Sequence, residues 1–390
     1  MNKANKSKRK VCVVITARPT YSRIKTALDA IKKHKDLELQ LVVASSALLD
    51  RYGTAVNYIK KDGFDITAQV FNVLDGENLT AMAKTTGIGI LELSTVFDNL
   101  KPDLVVTIAD RYETMATAIS ASFMNIPLLH IQGGEVTGNI DEKVRHAISK
   151  LADFHFPSSK KAEERLIKMG EDPAAVFLTG CPSIDLAVDI ANYNKLDFDP
   201  FKKYGGVGNL QDLSKGYIVV LQHPVTTEYE KSRVHIEETL WAMQKLQMPV
   251  LWFWPNLDAG ADGTSKGIRT FREFEDASRF HFFKNMEPTD FLKLIKCSSC
   301  LVGNSSVGIR ESSFLGIPVV NIGSRQNQRE RGKNVIDVGY NRNEIVDAVK
   351  KHLKNGTYNQ EMIYGDGKAG ERIADLITKL QLKIDKVLQY

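Results

Sequence analysis

Residues 104–111 read Leu-Val-Val-Thr-Ile-Ala-Asp-Arg, a short and mainly apolar run that ends in a carboxylate and a guanidinium. Residues 11–15 and 127–131 form similar runs, and helical spacing of apolar residues follows the first of them over residues 24–31. Strands without alternation are buried on both faces, and strands that alternate with helices build a parallel sheet with helices on both sides. The first half of the chain is therefore predicted to be a doubly wound α/β domain.

The same pattern restarts after a polar, glycine-containing stretch at residues 192–215. Further strands are predicted at residues 39–44, 154–156, 176–178, 217–221, 250–253, 280–283, 300–302 and 318–322, and a last helix at residues 370–386. We predict two Rossmann-like doubly wound domains, an N-terminal one over residues 1–190 and a C-terminal one over residues 205–369.

The composition excludes several classes of protein. The chain has 390 residues with 52 lysines and arginines against 47 acidic residues, and the net charge of +5 is too weak to indicate a nucleic-acid binder. Four cysteines, which we expect to pack in the core, exclude a disulfide scaffold, and no early apolar run approaches the roughly 20 residues that span a membrane. The basic start resembles a signal peptide, but Arg18 and Pro19 follow too soon for one, so we expect a cytoplasmic protein.

Polar residues cluster where the predicted strands end. The clusters, three in each half, cover residues 18–22, 110–111, 132–141, 222–227, 255–260 and 303–311. Ligands of doubly wound sheets bind outside the carboxyl ends of the strands. The clusters therefore favour a large polar ligand in a cleft between the two domains.

The segment Gly303-Asn304-Ser305-Ser306-Val307-Gly308 follows a predicted strand and opens a helix. Its backbone N–H groups and serine hydroxyls suit a phosphate or diphosphate, and Glu311, one turn into the helix, suits the two hydroxyls of a ribose. A capped helix start without a ligand explains the segment equally well. The segment matches neither a Walker A loop nor Gly-x-Gly-x-x-Gly, so a dinucleotide cofactor gains no support.

Three acidic residues, Asp110, Glu135 and Asp141, are expected near one edge of the first sheet. Carboxyl groups in different environments divide into acid and base roles. Arg111 suits a phosphate, and His223 suits a phosphate or a sugar. The alternatives are a surface salt bridge for Asp110 and Arg111, solvated loop acids for Glu135 and Asp141, and a packed histidine for His223. The histidines lack metal-ligand spacing, so no metal site is predicted.

Short motifs that follow one another in a fixed order make the sequence characteristic of one protein family. They are Arg18-x-x-Tyr-Ser22, Asp110-Arg111, His130-Ile-x-Gly-Gly-Glu135, Asp141-x-x-x-Arg145-His146, Gly180-Cys-Pro-Ser, Gln222-His223-Pro, Asn256-x-Asp258, Asn304-Ser-Ser306 and Tyr364-Gly-Asp366-Gly. Over residues 10–380 the chain resembles the hydrolysing UDP-N-acetylglucosamine 2-epimerases of the sialic-acid pathway, including the epimerase half of the animal bifunctional epimerase/kinase. Non-hydrolysing epimerases usually have Glu-Ala-Gly-Leu-Arg where this chain has Gln-Gly-Gly-Glu-Val, which argues against them.

The resemblance implies a glycosyltransferase-B-like fold with the active site in the cleft, and a C-terminal helix, residues 370–390, that returns to the first domain. It implies conversion of UDP-GlcNAc and water to ManNAc and UDP, by elimination to 2-acetamidoglucal and hydration, without metal or cofactor. It carries catalytic roles to Asp110, Gln132, Glu135, Asp141 and His223, and substrate contacts to Arg18, Ser22, Arg111, Arg145, His146, His223, Asn256, Asp258, Ser305, Ser306, Glu311 and Arg325. The partners implied are the UDP-sugar and UDP, with neither nucleic acid nor membrane, and a homodimer or homotetramer is expected.

One position departs from the family pattern, because Gln132 stands where the family usually has a catalytic glutamate. An amide does not transfer a proton as a carboxyl group does. Either the role shifts to Glu135 or Asp141, or Gln132 only positions the sugar, or activity is impaired; we favour the first. UDP-N,N′-diacetylbacillosamine as substrate, a glycosyltransferase-B transferase and a catalytically silent nucleotide-sugar binder stay open as alternatives.

Overall fold

The computed structural model describes residues 7–49, 54–74, 78–137, 140–255 and 260–389. The described chain forms two compact units. Unit 1 draws on Met1–Glu135, Asp141–Leu186 and Tyr364–Tyr390, and unit 2 on Val136–Ile140 and Ala187–Ile363. The domain boundaries drawn from the sequence stay a prediction.

Unit 1 is built on a parallel sheet. Its described strands are β1 (Arg9–Ile15), β2 (Leu37–Ala44), β3 (Ala68–Val70), β4 (Leu104–Ile108), β5 (Leu128–Ile131) and β6 (Phe154–Phe156). The described helices up to its end are α1 (Arg18–Lys33), α2 (Ala55–Lys61), α3 (Leu79–Leu100), α4 (Tyr112–Phe123), α5 (Ile140–Leu151), α6 (Lys160–Lys168) and α7 (Pro182–Val188). The strand order β3-β2-β1-β4-β5-β6 is that of a Rossmann fold, so the predicted first sheet is confirmed.

Strand β1 lies in the middle of this sheet because its side chains from Val11 to Ile15 are apolar on both faces. From Val11 to Ile15 each residue is at most 1% exposed. Helix α1, with Pro19 in its first turn, packs Ile24 and Leu28 into the same core. Ile373 from the last helix of the chain joins that core.

Unit 2 has a second sheet of the same kind. Its described elements are α8 (Pro200–Tyr204), β7 (Val207–Gly208), β8 (Ile218–Leu221), α9 (Ser232–Leu246), β9 (Val250–Phe253), α10 (Ala261–Phe274), β10 (Phe280–Phe283), α11 (Pro288–Lys296), β11 (Cys300–Gly303), α12 (Glu311–Leu315), β12 (Val319–Ile322), β13 (Val335–Val338) and α13 (Arg342–Asn355). The order β13-β12-β11-β8-β9-β10 repeats the Rossmann pattern, and β7 pairs antiparallel with β10 at the edge. The predicted second doubly wound sheet is therefore confirmed.

The strand predicted at residues 176–178 is wrong. Val176 makes a single bridge with His155 and no ladder. The segment is apolar because Phe177 packs edge-on against Phe156, with ring centroids 5.9 Å apart. An apolar run of three residues is thus as typical of a packed loop as of a strand.

The helix predicted over residues 370–386 is too long. The structure has α14 (Ala369–Lys379) in unit 1, and Leu380 after it is extended. Arg9 caps this end of the helix, since its guanidinium donates to the carbonyl of Leu380 at 3.0 Å and also to the carbonyl of Ile377. Residues 380–389 continue without helical structure. Within the described ranges, no helix combines the length and the apolar character of a membrane span.

Candidate active site

Asp110 lies just beyond the carboxyl end of β4, and the residue before it has an uncommon backbone conformation. Ala109 has a φ of +61°, in the left-handed region that glycine prefers. Its amide donates to the carbonyl of Ile131 at 2.9 Å, and its carbonyl lies 2.9 Å from Nε2 of His130. These contacts with β5 hold the peptide that carries Asp110, which is 7% exposed.

His130 is a neutral imidazole with both nitrogens engaged. Burial lowers its pKa to about 3, so the ring holds a single exchangeable proton at neutral pH. A carbonyl only accepts, so that proton is on Nε2 and bonds to Ala109, while Nδ1 accepts from Oγ of Ser149 at 3.0 Å. A Cβ on Gly133 would come within 2.8 Å of Nδ1 and 2.9 Å of Oγ. Glycine at position 133 therefore leaves room for the contact.

Two arginines face the carboxylate of Asp110. Arg145 on α5 forms an ion pair with Oδ2, and Nη1 of Arg23 on α1 lies 3.8 Å from Oδ1. Nη1 of Arg145 donates to the main-chain carbonyl of Glu135 at 2.9 Å. Burial disfavours the charged guanidinium of Arg145, but the neighbouring carboxylates, Asp110 first, outweigh burial and raise its pKa. The Asp110 carboxylate thus has a cation near each oxygen.

Gln132 lies just beyond the end of β5, level with Ala109, the residue before Asp110, because Ile108 and Ile131 are paired across the two strands. Its φ is +65°, and it is 1% exposed. The side-chain Nε2 donates to Sγ of Cys181 at 3.1 Å, and that sulfur lies 3.0 Å from Oγ of Ser183. The side-chain amide of Gln132, the residue that departs from the family pattern, therefore donates to a buried thiol.

Two more of the predicted carboxylates, Glu135 and Asp141, lie near Arg145. Asp141 stands in the first turn of α5 and is partly exposed, whereas Glu135 is 4% exposed. Both act on the guanidinium closely enough to raise its pKa. His146, the next residue on α5, has Nε2 at 3.1 Å from a carboxylate oxygen of Glu142.

Arg111, which is expected near a diphosphate, has a protein partner in unit 1. Arg111 makes a forked ion pair with Glu113, with Nε at 3.1 Å from Oε2 and Nη2 at 3.0 Å from Oε1. Ser22 donates to the carbonyl of Arg18 at 3.2 Å in the first turns of α1. The salt bridge considered for Arg111 is thus made with Glu113.

In unit 2, His223 and Asn304 join the ends of β8 and β11. The side chain of Asn304 accepts from the main-chain N–H of His223 at 2.7 Å and donates to its carbonyl at 2.8 Å. The carbonyl of Asn304 accepts from Nη1 of Arg325 at 3.3 Å. A Cβ on Gly303 would lie 2.2 Å from the carbonyl oxygen of Leu221, so only glycine allows this approach.

The serine loop differs from its prediction. Residues Ser306–Gly308 form a short 3₁₀ turn that Ser305 precedes, and Glu311 begins α12, where the sequence predicts it one turn inside a helix. The hydroxyl of Ser306 accepts from Nη2 of Arg310 at 2.9 Å. Glu311 is 7% exposed, and its Oε2 has no hydrogen-bond partner in the part of the chain that the structure describes. A buried carboxylate oxygen of this kind is costly unless a ligand donates to it.

Two of the predicted substrate contacts, Asn256 and Asp258, lie outside the described residues. Across the described ranges, no group of three or more histidine, cysteine, aspartate and glutamate side chains is arranged to hold a metal ion.

Sequence reasoning missed Arg23 and Ser149 and gave His130 no role. One signal was present, because Arg145 and Ser149 are four residues apart and therefore share a face of α5. The sequence does not show that this face is turned inward. Cys181 is buried as expected, but its contact with Gln132 depends on two segments that only the fold brings together.

Comparison with known proteins adds a family and a fold. The sequence model of the family described as UDP-N-acetylglucosamine 2-epimerase matches residues 29–378. The chain is 33% identical over 374 residues to the hydrolysing UDP-N,N′-diacetylbacillosamine 2-epimerase of Legionella pneumophila, covering 96% of this chain and 97% of that protein. It is 29% identical over 373 residues to a UDP-N-acetylglucosamine 2-epimerase of Neisseria meningitidis, covering 95% of each. A solved structure of a UDP-GlcNAc 2-epimerase from Neisseria meningitidis, bound to UDP-GlcNAc, has a TM-score of 0.79 at 18% identity and covers 95% of this chain and 100% of that one, which shows a shared fold.

Proposed function

The chain belongs to the UDP-N-acetylglucosamine 2-epimerase family, and we propose that it is a hydrolysing member that converts UDP-GlcNAc and water to ManNAc and UDP. The match to hydrolysing relatives along nearly the whole chain supports the reaction class. The observation that carries the chemistry is the buried carboxylate of Asp110, held at a strand end with Arg145 and Arg23 beside it. Such a carboxylate is fixed in place and suits a reaction that needs a placed base or a negative charge near a developing cation.

The reaction has two steps in this proposal. The C2–H group of the sugar is a weak acid. A carboxylate therefore removes its proton only as the bond from C1 to the diphosphate oxygen breaks. The electron pair of the C2–H bond becomes the C1–C2 double bond of 2-acetamidoglucal, and UDP departs. Water then adds its hydroxyl at C1 and a proton returns to the opposite face of C2, which gives the epimer as a free sugar.

We assign the acid and base roles to carboxyl groups of unit 1. Asp110 takes one role, and Glu135 or Asp141 takes the role that most family members give to a glutamate at position 132. The contact of the Gln132 amide with Cys181 supports this shift, since it gives the amide a fixed, non-catalytic place. Arg145 on α5 pairs with Asp110 of this group. His146, the next residue on that helix, keeps the substrate contact that the resemblance implies.

We assign nucleotide binding to unit 2 and to cations of unit 1. The carboxylate of Glu311 accepts hydrogen bonds from the ribose hydroxyls. Its buried Oε2, which has no partner among the described residues, supports that role. Ser305 and Ser306 bind phosphate, with His223 and Arg325 stabilising the departing diphosphate. In the same proposal, contacts to the diphosphate and its sugar come from Arg18, Ser22, Arg111, Asn256 and Asp258.

A second substrate is UDP-N,N′-diacetylbacillosamine. The relative from Legionella pneumophila that carries this substrate in its name is 33% identical to the chain, against 29% for the UDP-N-acetylglucosamine 2-epimerase from Neisseria meningitidis. We further propose a cytoplasmic homodimer or homotetramer that feeds sialic-acid-type sugar synthesis. The family resemblance supports these last points.

The test is to incubate the purified protein separately with UDP-GlcNAc and with UDP-N,N′-diacetylbacillosamine, without any acceptor. We expect UDP and a free 2-epimerised sugar, faster from one donor than from the other. An epimerised sugar that stays linked to UDP would show that the protein is a non-hydrolysing epimerase. UDP release only in the presence of an acceptor would assign a transferase, and tight UDP binding without turnover of either donor would assign a silent binder.

A further inference from the structure

Arg145 is a cation without access to solvent, being 0% exposed in the described structure. One guanidinium nitrogen pairs with Oδ2 of Asp110, and another donates to the main-chain carbonyl of Glu135 at 2.9 Å. Nη1 also lies 3.9 Å from a carboxylate oxygen of Glu142. Its nitrogens are therefore directed at acceptors of the protein itself.

The shape of the guanidinium matters for this arrangement. Its donors are fixed in one plane, so a single arginine holds a carboxylate and a carbonyl at a set angle to each other. A lysine ammonium is a point charge and does not fix two acceptors in this way. Arg145 thereby links the side chain of Asp110 to the backbone of Glu135, two residues that we assign to the acid and base group.

The same face of α5 fixes Asp110 a second time. Ser149, one turn after Arg145, bonds to His130, and His130 bonds to the carbonyl of Ala109. This second path holds the main chain in the left-handed conformation of Ala109, while Arg145 holds the carboxylate. One helix therefore sets both the backbone and the side chain of Asp110.

We infer that Arg145 is a positioning residue for Asp110 and Glu135 and makes no contact with the substrate. This inference rests on the proposed function, and it replaces the substrate contact that the resemblance implies for Arg145. Among the described residues, the groups that face Asp110 from other elements include Arg23 on α1 and the neutral His130 on β5. The carboxylates near Arg145 are Glu135, Asp141 and Glu142.

The kinetic test compares Arg145→Ala and Arg145→Lys with wild type on the donor that wild type turns over. We expect kcat to fall by about 100-fold in both variants, because a misplaced catalytic group costs that order of rate, while KM and the Kd of UDP change by less than about threefold. Millimolar guanidinium should restore at least about tenfold of the lost kcat in Arg145→Ala. A rise in KM and Kd with kcat kept would instead show a substrate contact and overturn the inference.

The matched control is Arg342→Lys, which alters a forked pair with Glu238 outside the site and should leave kcat unchanged. If Arg145→Ala does not fold, Ser149→Ala tests the same helix face through its bond to His130. That variant should lower kcat and leave KM unchanged. An unchanged kcat in Ser149→Ala together with an unchanged kcat in Arg145→Lys overturns the inference.

A readout independent of turnover separates this inference from the proposed function. In protein labelled with ¹³C at the aspartate carboxyl carbons, the resonance of Asp110 is the one that Asp110→Asn removes. Its titration midpoint should rise by at least about one pH unit in Arg145→Lys, because the paired cation is displaced while Arg23 stays. An unchanged midpoint overturns the inference even if wild type shows no epimerase activity, whereas a shifted midpoint in an inactive protein leaves the positioning in place and rejects the proposed reaction.

Discussion

Replacing Glu171 with glutamine should destabilise unit 1 by about 3 kcal/mol at pH 7, and the cost should shrink in acid. Glu171 is 2% exposed. Three groups reach its carboxylate, namely Nζ of Lys150 at 2.8 Å, Nε2 of His155 at 2.9 Å and Nζ of Lys386 at 2.6 Å. Lys386 also donates to the carbonyl of Ser149 at 3.0 Å. The carboxylate therefore fastens the segment after α14 to the body of unit 1.

The magnitude follows from the pKa of Glu171. Burial raises this pKa, but hydrogen bonds from His155, Lys150 and Lys386 outweigh burial and bring it to about 2 from an ordinary value of 4.5. At about 1.4 kcal/mol per pKa unit, the gap corresponds to about 3 kcal/mol. Since the folded-state pKa is the lower one, this stability is present well above pH 4.5 and is lost as the pH falls towards 2. About 1 kcal/mol of it is left at pH 3.

The assay is urea unfolding at pH 7 and pH 3, followed by pulsed hydrogen exchange on peptides from unit 1. The tryptophans, Trp241, Trp252 and Trp254, lie in unit 2, so tryptophan fluorescence follows unit 2 as an internal reference. The matched control is Glu163→Gln, which breaks a surface pair with Lys160 and should leave the midpoint of unit 1 unchanged. A loss below about 1 kcal/mol at pH 7, or an equal loss at both pH values, would show that the ionised Glu171 carboxylate does not stabilise unit 1.

Three further predictions concern the site and the core. Gly133→Ala should lower kcat and destabilise unit 1 by about 1–3 kcal/mol in urea unfolding, because the added Cβ meets His130 at 2.8 Å. Asp110→Asn should lower kcat by several orders of magnitude in steady-state kinetics and leave UDP binding by calorimetry nearly unchanged. Burial raises the pKa of Cys12 and of Cys300 to about 12, so mass spectrometry should find both unmodified after native treatment with iodoacetamide at pH 8 and alkylated after unfolding.

The two parallel sheets were predictable because the central strands carry their own signal. Residues 11–15 are apolar on both faces, and so are residues 104–108 except for Thr107; only strands buried on both faces need that. Errors came where side chains from elsewhere decide the local structure. The predicted helix at residues 370–386 has helical spacing throughout, but Arg9, far away in sequence, caps it at Leu380. A single sequence shows the spacing and not the cap.

The positions of site residues at strand ends were predictable from the sequence. The roles of the buried residues that contact them were not. Asp110 and Gln132 follow apolar strands, so their place at one sheet edge follows from parallel pairing. The charge of Arg145 is visible in the sequence, but its use inside the protein is not, because that depends on which face of α5 is buried. His130 reads as part of an apolar strand, and its bonds to Ala109 and Ser149 exist only in the fold.

The most direct test of the proposed reaction is proton NMR of the protein with UDP-GlcNAc in deuterated water. Elimination and hydration predict UDP and free ManNAc that carries deuterium at C2, because the proton lost from C2 is replaced from solvent. ManNAc with its original C2 proton, or epimer that remains attached to UDP, would rule out the elimination and hydration proposed for this protein.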